Sequence, residues 1–135
     1  MSSVVSDTHA LLWYLGNSKN LSAAALNAFG TAEKSGSLIY VPAIVIVELR
    51  YLVEKGRSIL ESDFRLVIDT LNNPNSALTF APLNQATAQD IERIPRSVVP
   101  EMPDRMIAAT AFNLNLSLVS KDSEISRLQN ITVIW

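Results

Sequence analysis

The sequence has 135 residues, of which 48% are hydrophobic and 18% charged, so it can form one domain with a sizeable core and is not a disordered chain. It has no cysteine and one histidine, which excludes disulfide scaffolds, thiolate zinc sites and multi-histidine metal sites. Its 11 Lys and Arg against 13 Asp and Glu give a net charge of −2, which argues against a strongly basic nucleic-acid binder and leaves a small basic patch possible.

Short runs of apolar and β-branched residues alternate along the chain with stretches of helical periodicity. Turn residues mark several boundaries, for example Gly16-Asn17 and Gly56 after helices. The predicted elements are, in chain order, strand 4–5, helix 8–15, helix 21–36, strand 38–41, helix 43–55, helix 61–71, strand 78–80, helix 84–94, loop 95–103, helix 104–114, strand 117–119, helix 122–128 and strand 131–134.

Strands separated by helices of about ten residues predict βαβ units, in which the strands run parallel and helices cover both faces of the sheet. The fold class is therefore α/β. In such folds ligands bind at the carboxyl ends of the strands, so chemistry is expected there.

Neither a targeting segment nor a membrane span is expected. The first residues contain no basic run, and the longest apolar run, residues 41 to 47, is far shorter than a span and contains Pro42. Cytoplasmic location is the expectation, in keeping with the absence of cysteine.

Two acidic residues follow predicted strands. Asp7 comes after Val4-Val5, and Asp122 comes after Leu118-Val119, each before a predicted helix. Either residue alone could be a helix N-cap. At equivalent strand ends of a parallel sheet, however, both would face the same crevice.

Glu48 is unusual because it lies within the apolar stripe of the predicted helix 43–55. Helical spacing places Ile44 and Leu52 directly above and below it. A partly buried carboxylate needs a cation or hydrogen bonds to compensate its lost hydration. A buried arginine partner is one way to meet this need, and a metal ion is the other.

Asp104 begins the predicted helix 104–114, a position that the helix dipole also favours for an acid. With Asp7, Glu48 and Asp122 it makes four carboxylates on separate elements, the oxygen donors that Mg²⁺ or Mn²⁺ prefers. Without metal the cluster is unfavourable because like charges repel. The usual chemistry of such sites is phosphodiester hydrolysis.

Four segments of the sequence together resemble the PIN-domain ribonucleases and, more narrowly, the VapC-type toxins of toxin–antitoxin pairs. The segments are Asp7-Thr8-His9-Ala10-Leu11-Leu12-Trp13, Val47-Glu48-Leu49, residues 103–111 (PDRMIAATA) and Leu118-Val119-Ser120-Lys121-Asp122. The resemblance covers essentially the whole chain. It implies one PIN-like domain over residues 1–135, with a three-layer α/β/α fold and a five-stranded, mostly parallel sheet in the order 3-2-1-4-5.

The same resemblance implies a function and its residues. It assigns Asp7, Glu48, Asp104 and Asp122 to catalysis and to holding one or two Mg²⁺ or Mn²⁺ ions. The implied reaction is endonucleolytic cleavage of RNA by metal-activated water. The implied partners are the RNA substrate, a second copy of the chain and a small antitoxin protein that covers the site.

Five further residues are auxiliary candidates. Ser120 occupies the place where the family often has Thr or Ser and would order the site, and Thr8 lies beside the first acid. His9 stands where many members have Asn or Ser, and both substrate contact and a packing or capping role are open. Arg105 and Lys121 are the basic residues nearest the acids in sequence, either for RNA or as surface charges.

Two other classes of protein compete with this interpretation. A non-catalytic α/β binding or regulatory module would use the acids as helix caps and ion pairs. An acid-site phosphatase or phospho-acceptor receiver would need paired acids near the first strand, where Asp7 stands alone, and a lysine after a late strand, where Lys121 fits loosely.

Apolar side chains in the early helices predict association. A homodimer with a groove near Trp13 and Tyr51 for a partner peptide is expected, although the same side chains could instead close a single core. The side chains concerned are Trp13, Tyr14, Leu26, Phe29, Tyr51, Phe64 and Leu66.

Overall fold

A single parallel sheet organises residues 2–135, the part of the chain that the computed structural model describes. Its strands are β1 (Val4–Ser6), β2 (Ile39–Pro42), β3 (Leu78–Ala81), β4 (Ser117–Val119) and β5 (Val133–Ile134). Every neighbouring pair is parallel, and the order is β3-β2-β1-β4-β5. The predicted order 3-2-1-4-5 and the α/β class are therefore confirmed.

Helices connect the strands, as the sequence pattern predicts. They are α1 (Thr8–Leu15), α2 (Ala23–Lys34), α3 (Ala43–Glu54), α4 (Glu61–Asn72), α5 (Gln85–Gln89) and α6 (Met102–Leu114), with short 3₁₀ segments at Asp90–Arg93 and Ile125–Arg127. Within residues 2–135 no helix is both long and apolar enough to cross a membrane.

The central strand β1 shows that both faces of the sheet are covered. Its three residues are all buried, although successive side chains of a strand point to opposite faces. The core around it includes Leu11, Leu49, Ile107 and Leu118, each at most 1% exposed. Helices packed on both faces leave the carboxyl ends of β1 and β4 as the accessible edge.

Several predicted elements differ from the structure. The predicted helix 84–94 is divided into α5 and the 3₁₀ segment Asp90–Arg93, and the predicted strand 131–134 is shortened to β5. The predicted helix 122–128 is reduced to the 3₁₀ segment Ile125–Arg127: the Asp122 side chain caps its start by accepting the Glu124 and Ile125 N–H groups, and the backbone becomes extended at Leu128. Helix α6 begins at Met102, within the predicted loop 95–103. Pro103 is compatible with this start because N–H groups in the first turn of a helix have no intrahelical acceptor, so the N–H that proline lacks costs no hydrogen bond.

The apolar side chains that predicted association divide into three groups. Trp13 and Tyr14 are half-buried. Phe29 and Phe64 are buried and belong to the core, so the prediction that they are available on a surface is wrong. Leu26, Tyr51 and Leu66 are exposed, at 54%, 60% and 44%.

Candidate active site

A cavity of about 700 Å³ opens at the carboxyl edge of β1 and β4. It contains all four acidic residues on which the sequence argument rests. The lining residues are Asp7, Thr8, His9, Trp13, Glu48, Leu52, Asp104, Ile107, Lys121, Asp122, Ser123 and Glu124. Four carboxylates that are far apart in sequence therefore share one cavity.

The sheet order accounts for this convergence. Asp7 follows β1, and its N–H donates a hydrogen bond to the Val119 carbonyl at the end of β4 (3.2 Å). Asp122 follows β4 and so lies at the same edge. Glu48 lies in α3, which begins directly after β2, and Asp104 lies in the first turn of α6.

Asp7 and Asp122 also act as local caps, as the alternative interpretation required. Oδ1 of Asp7 accepts the Ala10 N–H (2.8 Å) at the start of α1. Oδ1 of Asp122 accepts the N–H groups of Glu124 and Ile125 (2.8 and 2.9 Å). These bonds hold each carboxylate in place through one oxygen.

Glu48 has a hydroxyl partner rather than an arginine. The Thr8 hydroxyl donates to Oε1 of Glu48 at 2.7 Å. Within residues 2–135 the ion pairs are those of Glu61 with Arg50 and Arg65, so the interpretation of Glu48 as half of a buried arginine pair is wrong. Among the described residues, neither a basic side chain nor a helix cap accounts for this carboxylate.

The cavity disfavours negative charge. Burial, followed by the charges of Asp122, Glu48 and Asp7, raises the pKa of Asp104 from 3.8 to about 6. Burial also raises the pKa of Asp7, and the Ser120 hydroxyl and the Ala10 N–H offset this only in part. A cation in the cavity would favour the ionised form of both.

The donor chemistry of the cavity fits a hard divalent cation. Carboxylate oxygens are the ligands that Mg²⁺ and Mn²⁺ prefer, and Mg²⁺ commonly uses one or two of them and keeps several waters. In residues 2–135 no three Asp, Glu or His side chains are close enough to hold an ion directly. A bound ion would thus complete its coordination with water.

The auxiliary candidates separate in the structure. Thr8, His9 and Lys121 line the cavity. Ser120 is buried directly beneath it, where its hydroxyl accepts the Asp122 N–H (3.1 Å). Arg105 is not brought to the cavity, because its guanidinium donates to the carbonyls of Ile94 and Ile91 (2.9 and 3.0 Å).

Aromatic rings form one side of the cavity. The His9 and Trp13 rings, called the aromatic wall here, have centroids 5.6 Å apart, and Trp135 packs against Trp13 at 5.8 Å. The Lys121 ammonium lies 5.7 Å from the Trp13 centroid. Sequence reasoning missed Trp135. The pairing of β5 with β4, in which the Ile134 carbonyl accepts the Ser120 N–H, places Trp135 beside Ser120 at the same edge of the sheet.

A second, more apolar groove adjoins the acidic cavity. Its volume is about 360 Å³, and it shares Glu48 and Leu52 with the cavity. Val47, Tyr51 and Met102 line it and are exposed. Trp13 and Tyr51, predicted to border one groove, therefore border two adjacent ones.

The chain is similar to known proteins over almost its full length. Residues 4–131 match the family model for the PIN domain. Ribonuclease VapC22 of Mycobacterium tuberculosis (strain ATCC 25618 / H37Rv) is 30% identical over 125 residues, which are 93% of this chain and 91% of that protein.

Crystal structures with the same fold include two complexes bound to DNA. VapBC2 from Rickettsia felis, bound to a promoter DNA fragment, has a chain with a TM-score of 0.71 and 18% identity, covering 97% of this chain and 96% of that chain. DNA-bound VapBC from Salmonella typhimurium has a chain with a TM-score of 0.71 and 19% identity, covering 98% of this chain and 97% of that chain. At these identities the likeness concerns the fold.

Proposed function

Because the chain belongs to the PIN-domain family, we propose that it is a metal-dependent endoribonuclease and the toxin of a toxin–antitoxin pair. The observation that carries the proposal is the convergence of Asp7, Glu48, Asp104 and Asp122 in one cavity at the carboxyl edge of the sheet. The ribonuclease name of the M. tuberculosis relative supports the reaction class. We also propose a cytoplasmic location, the compartment in which its RNA substrates would be available.

The four carboxylates would hold one or two Mg²⁺ or Mn²⁺ ions, some of them through water, since no three are close enough in residues 2–135 to bind one ion directly. A bound ion of this kind supplies activation of water and neutralisation of charge on the phosphodiester. Asp7 and Asp122 are fixed by backbone N–H groups, and Glu48 is fixed by Thr8. Asp104, in the first turn of α6, supplies the fourth carboxylate, and Ser120 supports the loop before Asp122.

The rival classes explain the cavity less well. Helix capping accounts for Asp7 and Asp122, and the first turn of α6 favours an acid at Asp104, but these local roles do not explain why Glu48 joins them in one cavity. A receiver or phosphatase would need a second acid next to Asp7, and the following residues are Thr8 and His9. The nuclease therefore uses all four carboxylates, whereas each rival uses part of the set.

The test is cleavage of a fluorescently labelled RNA by the purified protein with Mg²⁺, with Mn²⁺ and with EDTA. We expect cleavage with either metal, no cleavage in EDTA, and a loss of roughly 100-fold or more in Asp104→Asn and Glu48→Gln. Glu54→Gln, at the exposed end of the same helix as Glu48, is the matched control and should retain activity. Undiminished cleavage in EDTA would overturn the mechanism.

The apolar groove beside the cavity supports an antitoxin as the inhibiting partner. A peptide seated on Val47, Tyr51 and Met102 would lie against Glu48 and cover the entrance to the carboxylates. If a short reading frame lies immediately upstream of the gene, its product is the protein to mix with the purified chain. We expect it to inhibit cleavage, and Tyr51→Asp to weaken inhibition without weakening cleavage.

A further inference from the structure

The aromatic wall has the features of a site for an RNA base. His9 is exposed, Trp13 is half-buried, and both rings line the same cavity as the four carboxylates. We propose that this wall, and Trp13 above all, is the subsite that stacks one unpaired base of the RNA beside the phosphodiester that is cleaved. This inference rests on the proposed function, because it assigns a role to residues of the same cavity.

The wall is supported from behind. Trp135 packs on Trp13 but does not line the cavity, so the Trp13 ring is held between Trp135 and the open space. A ring restrained in this way loses little freedom when a base stacks on it. Aromatic side chains bind unpaired bases of any identity because every base has a π face.

The wall also has a cation for the RNA backbone. Lys121 is exposed, and its ammonium lies over the Trp13 ring. Its long flexible stem allows the ammonium to leave the ring and contact a phosphate when a base occupies the wall. In a chain of net charge −2, a cation adjoining four carboxylates provides the local attraction that the overall charge does not.

Stacking on this wall requires a base that is free of its duplex. In a duplex the bases are stacked on one another and paired, so single-stranded segments are the ones whose bases can be splayed onto aromatic rings. The geometry therefore favours loops and unpaired ends over continuous double helix. It does not select one base over another.

The test measures binding rather than cleavage. The starting protein, called the parent, is Asp104→Asn, which under the proposed function leaves the RNA intact. The labelled ligands are oligouridylate, an abasic ribose-phosphate oligomer of equal length, and an oligoadenylate–oligouridylate duplex. Fluorescence anisotropy measures the affinity of each ligand for the parent and for the parent that also carries Trp13→Leu, Trp13→Phe or Tyr51→Leu. Tyr51 is the matched control because it is an exposed aromatic with a lysine, Lys55, over its ring (5.9 Å), outside the acidic cavity.

We expect Trp13→Leu to weaken binding of oligouridylate by roughly 5-fold to 140-fold, the equivalent of about 1 to 3 kcal/mol per stacked base. The abasic oligomer should bind the parent and Trp13→Leu equally and the duplex should bind more weakly than oligouridylate. Trp13→Phe should restore most of the affinity, and Tyr51→Leu should change nothing. Equal losses for oligouridylate and the abasic oligomer, or no loss for either, would overturn the inference.

A fluorescence measurement covers the case in which Trp13→Leu does not fold. The chain has two tryptophans, so Trp135→Phe leaves Trp13 as the only one. Saturable quenching by oligouridylate and none by the abasic oligomer supports stacking, and equal responses overturn it. Cleavage assays on the native chain separate the two proposals. If the enzyme is active but the binding assays show no difference between oligouridylate and the abasic oligomer, only the stacking site is defeated, whereas absence of cleavage defeats the nuclease.

Discussion

The hydroxyl of Thr8 donates a 2.7 Å hydrogen bond to Oε1 of Glu48, joining the start of α1 to the middle of α3. Thr8 is 5% exposed, so the bond is shielded from solvent and fixes the carboxylate within the apolar stripe of its helix. Glu48 therefore presents its second oxygen to the cavity in a defined orientation. Thr8 is a positioning residue for a carboxylate that would otherwise be free to change rotamer.

Thr8→Val tests this role, because valine keeps the size of threonine and removes the hydroxyl. We expect the rate of RNA cleavage to fall by about 10-fold to 100-fold, and metal affinity to fall by a similar factor. Metal affinity is measured by titrating Mn²⁺ and following the rise in melting temperature. Thr8→Ser should recover both. A melting temperature lowered in Thr8→Val with normal metal affinity would show that the hydroxyl serves the fold alone.

The charge in the cavity predicts a pH-dependent stability. Burial and the neighbouring carboxylates raise the pKa of Asp104 from 3.8 to about 6. Between these values the folded protein keeps a proton that the unfolded chain has lost, so the free energy of unfolding falls as the pH rises through this window. In EDTA, Asp104→Asn should make that fall shallower and raise stability at neutral pH.

Thermal unfolding at a series of pH values measures this effect. The raised pKa of Asp7 acts in the same direction, so part of the slope should remain in Asp104→Asn. Glu54→Gln, on the exposed side of α3, is the control and should keep the slope of the native chain. An identical slope in Asp104→Asn and the native chain would contradict the assignment of the charge to this cavity.

Much of the fold could be predicted because its signals are local. Apolar β-branched runs specify the strands, and βαβ spacing specifies a parallel sheet. The predicted helix 122–128 is shorter in the structure: Asp122 caps its start through the Glu124 and Ile125 N–H groups, but the backbone becomes extended at Leu128. An Asp after a strand therefore indicates where a helix begins but not how far it extends.

The partners of the site residues depend on tertiary structure and could not be read from sequence. Arg105 stands next to Asp104 in sequence, yet helical geometry turns it toward the Ile91 and Ile94 carbonyls. Thr8 and Glu48 are separated by 40 residues. Their pairing follows only from the packing of α1 against α3.

Arg105 should matter to stability more than to RNA binding. It is partly buried and satisfies two backbone carbonyls of the segment before α6. Arg105→Ala should lower the free energy of unfolding by about 1.5 to 3 kcal/mol, measured by urea denaturation, because charged hydrogen bonds to these carbonyls are lost. Arg96→Ala, an exposed arginine of the same segment, is the control, and equal destabilisation by both changes would refute the anchoring role.

Exposed apolar side chains on α2 and α4 predict a homodimer. Leu26 and Leu66 are exposed at 54% and 44%, and Leu60, at the start of α4, at 66%. Isolated exposed leucines are ordinary, but several of them on two helices favour a self-complementary contact, and two-fold dimers are the commonest such solution.

Leu66→Glu should therefore give a monomer in light scattering at tens of micromolar. Val47→Glu, which alters the apolar groove, should remain dimeric, and a native chain that is already monomeric would refute the dimer while leaving the nuclease proposal intact.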